Sequence, residues 1–170
     1  DTSEKKYFLL VSRLEFYKKA DLAIEAFNEL GYPLIVVGNG SKKKELIQMA
    51  NSNIQFKSGI STKELADLYS NCKALIFPQH EDYGITALEA NASGRPVIAF
   101  GKGGVLETMI NYNGDQNKAT SIFFNDQSKE KLIDAIKKFE TVNFDSAFIR
   151  NHSLHFDESI FIQKLRDIVQ

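Results

Sequence analysis

Six short apolar runs alternate with stretches of helical period along this chain. Residues 7–12, 34–38, 54–56, 74–78, 96–100 and 120–124 are rich in β-branched and aromatic side chains and predict strands. Between the first two, Ala20, Ala23, Ile24, Phe27 and Leu30 recur on one helical face, closed by Gly31 and Pro33. Leu65, Leu68, Tyr69 and Cys72 repeat that period behind Ser61 and Glu64, which have the spacing of a capping box. Residues 129–139 and 158–169 read as two more helices, and 111–118 as the most loop-like segment. Strands separated by helices imply βαβ units and a parallel sheet. The continuously apolar strands suit a sheet of about six strands covered by helices on both faces.

One further helix is expected after Gly84, where Ile85, Ala87, Leu88, Ala90 and Ala92 leave few polar positions. Such a helix should be largely enclosed, with Thr86, Glu89 and Ser93 sharing one stripe. Glu81 lies just before its start, so Glu81 and Glu89 are aimed at one helix end. Buried carboxylates are costly without partners, which marks the pair as a candidate site. The plainer alternative has Glu81 favouring the helix dipole and Glu89 pairing with a core cation. Spacing alone does not separate the two.

Composition narrows the function classes. The 170 residues suffice for one domain with a sizeable core, without disulfides or metals. Residues 1–170 therefore read as a single Rossmann-like domain. Net charge is −1, so no global field points to nucleic acid. The lone cysteine, Cys72, excludes an internal disulfide and suits a reducing, cytoplasmic setting; on the apolar stripe of its helix it reads as a buried thiol. No apolar run approaches the roughly 20 residues that span a bilayer. The polar start at residues 1–6 is not a signal peptide, and its abrupt entry into a strand is also what a cut inside a longer chain produces.

The chemistry should lie at the strand-to-helix turns, where open α/β sheets bind ligands. The first turn carries Arg13 and Lys18, and the second carries Gly38, Asn39 and Gly40. The fourth runs from Glu81 to Gly84, and the fifth has Gly101, Lys102, Gly103 and Gly104 with Glu107 close behind. Glycines admit close backbone approach, and helix N-termini favour phosphate. Two cations on one loop would neutralise a diphosphate, whereas carboxylates accept hydrogen bonds from sugar hydroxyls. The set suits a sugar nucleotide.

These residues resemble a known family. Glu81 and Glu89, with Gly84, Ala90, Gly94, Arg95 and Pro96 around them, are similar to the signature of family 4 retaining glycosyltransferases. Those enzymes have the GT-B fold, two Rossmann-like domains facing a cleft. Arg13 with Lys18, and the turn at Gly38, resemble that family's diphosphate loop and second-strand turn. The likeness runs from about Tyr7 to Glu107, and its style most resembles mannosyltransferases that use GDP-mannose to build cell-surface polysaccharides.

The resemblance implies roles at matching positions. Arg13 and Lys18 hold the donor diphosphate, Glu89 the ribose hydroxyls, and Glu81 the transferred sugar near the reacting carbon. Backbone N–H groups of Gly84, Ile85 and Thr86 bind sugar or phosphate oxygens, Gly38 belongs to the donor turn, and Ile60 lies by the base. The donor is a nucleoside-diphosphate sugar, GDP-mannose or a UDP-sugar, with no other cofactor. The acceptor is a saccharide or lipid-linked saccharide held by an N-terminal domain that the chain lacks. Peripheral contact with the cytoplasmic membrane face would come through that parent protein. Lys19 departs from the family, which often has glycine there.

No Asp-x-Asp occurs, so a metal-bridged diphosphate lacks its usual ligands and metal independence is expected. His152 and His155 have no third ligand type nearby, and the Lys42–Lys44 run suits a solvated helix start. Other readings are a non-catalytic nucleotide-binding module, or an epimerase or phosphorylase on the same scaffold. A dinucleotide dehydrogenase is disfavoured, because the first turn lacks Gly-x-Gly-x-x-Gly.

Overall fold

The computed structural model of the chain describes residues 7–169, so the polar start at 1–6 lies outside the described residues. All six expected strands form: β1 Phe8–Val11, β2 Leu34–Val37, β3 Ile54–Lys57, β4 Leu75–Phe77, β5 Val97–Phe100 and β6 Ser121–Phe124. Every pairing is parallel, in the order β3-β2-β1-β4-β5-β6. This is the doubly wound Rossmann-like order, and it reverses between β1 and β4.

Alternation along the strands builds two cores. Phe8, Leu10, Leu34, Val36, Ile76 and Ile98 face one side, while Leu9, Val37, Leu75, Phe77, Val97 and Ala99 face the other. The first core is closed by α1 Ala20–Leu30, α2 Lys43–Met49 and α6 Lys129–Phe139; the second by α3 Thr62–Asn71, α4 Ile85–Ala92 and α5 Val105–Thr108. Phe8 meets Phe27 edge-on at 5.3 Å between ring centres, and both are fully buried. Burying each such ring contributes about 2–3 kcal/mol.

The local stops and starts follow the side chains. Gly31 ends α1 in the left-handed region at φ 69°, where glycine carries no steric cost. Ahead of α3, Ser61 Oγ accepts from the Glu64 N–H and the Glu64 carboxylate accepts from the Ser61 N–H, completing the capping box. Residues 111–118 stay irregular apart from a 3-10 turn, Gln116–Lys118.

The apolar pattern does not announce three helices. α2 buries only Leu46 and so has no stripe, α5 is four residues long, and α7 Ser146–Ser153 buries just Ile149 and Ser153. The signal for α7 is its cap: Asp145 Oδ1 accepts from the N–H groups of Ala147 and Phe148 at 2.8 and 3.1 Å. α7 lies against α4, and α8 Glu158–Val169 follows it. Among the described residues no helix is long and apolar enough to cross a membrane.

Candidate active site

The strand order puts the loops after β1 and β4 side by side at the reversal point. Each is braced by backbone and side-chain hydrogen bonds to the turns beside it. In the β1 loop, Leu14 is fully buried, donates its N–H to Asn39 O at 2.9 Å and accepts from the Lys42 N–H at 2.9 Å. Glu15 accepts from the Ser41 N–H and hydroxyl at 3.0 and 2.6 Å, and these bonds hold its carboxyl below the usual range. A Cβ on Gly38 would fall 1.9 Å from Ser12 O. Gly38 therefore lets the β2 turn sit against the β1 loop, and it does not line the pocket described below.

The loop then makes a 3-10 turn, Phe16–Lys18, and enters α1 through Lys19 at φ 55°. Among the described residues Lys19 is the single non-glycine with positive φ. That conformation costs an L-residue roughly 1–2 kcal/mol, which is the physical reason glycine suits the position. The Lys19 ammonium lies over the Phe16 ring at 4.7 Å and stays out of the pocket.

In the β4 loop, Gln127 Nε2 donates to Pro78 O at 2.8 Å and the Gly104 N–H donates to Glu81 O at 2.9 Å. Glu81 and Gly103 also form a parallel bridge, so the β5 turn clamps the β4 loop. Gly84 caps α4 at φ 82°. The N–H groups of Ile85 and Thr86 have no acceptor among the described residues.

Arg13, Lys18, Glu81, Gly84, Ile85 and Thr86 thereby line one pocket of about 350 Å³, together with Ser12 and Gln79. Six of the expected site residues meet there. Inside it Lys18 Nζ donates to Glu81 Oε2; the two side chains are 14% and 33% exposed. The Arg13 guanidinium has no hydrogen-bond partner among the described residues. One cation is thus already matched with a carboxylate while the other is open to an anionic ligand.

Two expectations need correcting. α4 is not largely enclosed: Ile85 is 64% exposed, Glu89 is exposed, and Ala87, Ala90 and Asn91 are its buried residues. Those three buried positions make a narrow stripe, so the opposite face stays open. Nor do the two carboxylates converge on one helix end. Glu89 sits a turn into α4 and faces a neighbouring cavity of about 650 Å³ with Leu88, Leu154 and Phe156; only Tyr83 and Ile85 border both cavities. The plainer alternative fails as well: among the described residues Glu89 has no core cation, and its partner is the Tyr69 hydroxyl, which donates to it at 2.8 Å. Ile60 lies apart as well, lining a third cavity with Tyr7, Lys57 and Leu68. His80 is exposed and packs beside Gly103 rather than lining the pocket.

Tyr69 and Gln79 were not legible as site residues. Tyr69 reads as core because it belongs to an apolar stripe, and nothing local in the sequence marks Gln79. Tyr69 is 3% exposed, and burial, followed by the Glu89 charge, pushes its phenol well up. Tyr7 donates to Leu68 O at 3.0 Å, and burial pushes its phenol up to about 12. Both shifts mean that the fold favours the neutral phenol. Their stabilisation is complete below the ordinary value of 10.0 and is lost as pH rises above it. Urea unfolding midpoints should therefore fall from pH 9 to pH 11, and Tyr69→Phe should flatten that fall. An equal slope in the variant would show that Tyr69 does not carry the dependence.

Cys72 is buried, with Sγ 3.2 Å from Tyr69 O. His152 Nε2–H donates to Thr108 O at 2.9 Å and His155 Nδ1 to His152 O at 2.9 Å, so both rings are engaged with backbone. Among the described residues no three metal-ligating side chains cluster.

Comparison with known proteins decides the family: the Glycosyl transferases group 1 pattern matches residues 2–152, most of the chain. This chain belongs to the group 1 glycosyl transferases. The Escherichia coli O-antigen chain mannosyltransferase C is 26% identical over 145 residues, covering 81% of this chain and 38% of that protein. A Mycobacterium tuberculosis glycogen synthase is 33% identical over 114 residues, covering 61% and 28%. The crystal structure of Anabaena Alr3699/HepE in complex with UDP and glucose superposes with a TM-score of 0.78 at 18% identity, covering 97% of this chain and 48% of that one. The group 1 domain described here thus has the Rossmann-like fold found in GT-B glycosyltransferases. It spans under two fifths of the length of those two curated relatives.

Proposed function

We propose that this group 1 domain is the C-terminal, donor-binding half of a retaining hexosyltransferase that uses a nucleoside-diphosphate sugar. The observation that carries the reading is the meeting of Arg13, Lys18, Glu81 and the free N–H groups of Ile85 and Thr86 in one pocket at the sheet's reversal point. Arg13, Lys18 and the two amides match the diphosphate oxygens. They would stabilise the charge that develops on the leaving phosphate. Glu81, paired with Lys18 while the pocket is empty of phosphate, accepts from the transferred sugar. Glu89, one cavity over, takes the ribose hydroxyls, and the β3 turn at Ile60 lies towards the base. In transfer the acceptor oxygen bonds to the anomeric carbon as its bond to phosphate breaks, on the same face. The acceptor proton goes to the departing phosphate oxygen.

Mannose from GDP-mannose is the preferred donor, supported by the names of relatives such as the O-antigen chain mannosyltransferase and the Dictyostelium discoideum alpha-1,3/1,6-mannosyltransferase ALG2. A UDP-sugar is the alternative, supported by the UDP and glucose bound to the Anabaena protein. The acceptor would be a saccharide or lipid-linked saccharide on an N-terminal partner domain, in cytoplasmic synthesis of a cell-surface polysaccharide. The domain alone should not transfer, because transfer needs donor and acceptor held together in a water-poor cleft.

Calorimetric titration of the chain with GDP, UDP, ADP and their hexose conjugates, in EDTA, tests the reading. Binding to one base series without metal is expected. Failure to bind any of the six ligands would sink it.

A further inference from the structure

Gln79 has no part in the roles proposed above. It follows Pro78 at the end of β4, two positions before Glu81, and it is 3% exposed while lining the Arg13–Lys18–Glu81 pocket. Its carboxamide makes no hydrogen bond with any described residue. The polar side-chain atoms sealed off without partners are Asn91 Oδ1 and Arg95 Nε. The Gln79 amide is not among them, so its head keeps some exposure, and the residue lines the pocket. A carboxamide that no protein group engages is available to a matching ligand group in that pocket.

The chemistry of the pocket selects the ligand group. Phosphate oxygens only accept, and Arg13, Lys18 and the α4 amides are there to donate. Glu81 only accepts, and Lys18 already occupies part of it. A carboxamide offers a donor and an acceptor on one rigid plane, which is what a hydroxyl or a vicinal pair of hydroxyls requires. We propose that Gln79 is a sugar-binding residue, its carboxamide holding hydroxyls of the hexose carried by the nucleotide. This rests on the donor-binding reading above and adds to it the group that distinguishes the sugar nucleotide from the bare diphosphate. A site built to hydrogen-bond a hydroxyl also discriminates between sugars that present it and sugars that do not. Gln79 would therefore take part in hexose choice.

The test compares each diphosphate with its hexose conjugate: GDP with GDP-mannose, and UDP with UDP-glucose. In the unsubstituted chain the conjugate of the favoured base should bind more tightly than the diphosphate. Gln79→Met keeps the volume and removes the amide. It should weaken the conjugate about five- to twentyfold while changing the bare diphosphate less than about twofold. Side-chain amide NMR on the unsubstituted chain gives a second readout, in which the Gln79 Nε2 protons should shift with the conjugate and not with the diphosphate. If Gln79→Met weakens both ligands alike or neither, or if the conjugate leaves the Gln79 amide unmoved, the sugar-binding role is overturned while the donor-site reading stands. No binding of any nucleotide overturns both.

Discussion

Lys18→Met should weaken binding of a nucleoside diphosphate to this chain by roughly ten- to a hundredfold, the range for losing a hydrogen bond to a charged group. Two losses combine. The donor diphosphate forfeits a cation, and Glu81, which Lys18 neutralises in the pocket, is left as a bare carboxylate beside the phosphate site. Glu81→Gln should act in the opposite sense on the bare diphosphate and tighten it several-fold, since Lys18 is then released to the phosphates. The same change should weaken the sugar conjugate relative to the diphosphate and lower turnover in an enzyme that includes the acceptor domain. A double-mutant cycle by calorimetry separates these effects, because residues in direct contact are not additive. Weakening of the bare diphosphate by Glu81→Gln would show that the carboxylate supports phosphate binding instead of competing for Lys18.

Gly104→Ala should lower stability by about 2–3 kcal/mol, seen as a melting temperature lower by roughly 5–10 °C. Gly104 has φ −60°, so alanine brings no backbone strain there. The whole cost is steric. A Cβ would lie 2.3 Å from Asp82 O and 2.7 Å from Tyr83 Cα, both backbone atoms that cannot turn aside. The β4 loop would have to move, breaking the 2.9 Å bond from the Gly104 N–H to Glu81 O. Nucleotide affinity should fall with stability, because that loop carries Glu81 and leads into the α4 amides. A variant with an unchanged melting point would mean that the two loops are less tightly coupled than the contact distances imply.

Much of the fold was legible because burial on both faces of a parallel sheet leaves short apolar runs that need no partner to be recognised. α1 and α3 could be read from stripe and caps alike. α7 could not, since it buries two residues and only the Asp145 cap marks its start, and α2 showed no more than its charged start at Lys42–Lys44 because it buries Leu46 alone. The site was legible in its residue types: Arg13, Lys18, Glu81 and Gly84 stand out at strand ends. The partnership of Lys18 with Glu81 was not, since 63 positions separate them. The same holds for Tyr69 and Glu89, 20 positions apart, whose bond stands where the plainer alternative had a core cation.

The sequence by itself determined the alternation of strands and helices, the turns that carry charge and the left-handed stop at Gly31, because each is a local property of a few neighbouring residues. Only the tertiary structure decided that β1 and β4 are neighbours, since pairing between strands is a choice among partners far apart in the chain. That choice set Lys18 against Glu81, exposed one face of α4, moved Glu89 into the next cavity and brought Gln79, unmarked in the sequence, to the wall of the Lys18–Glu81 pocket.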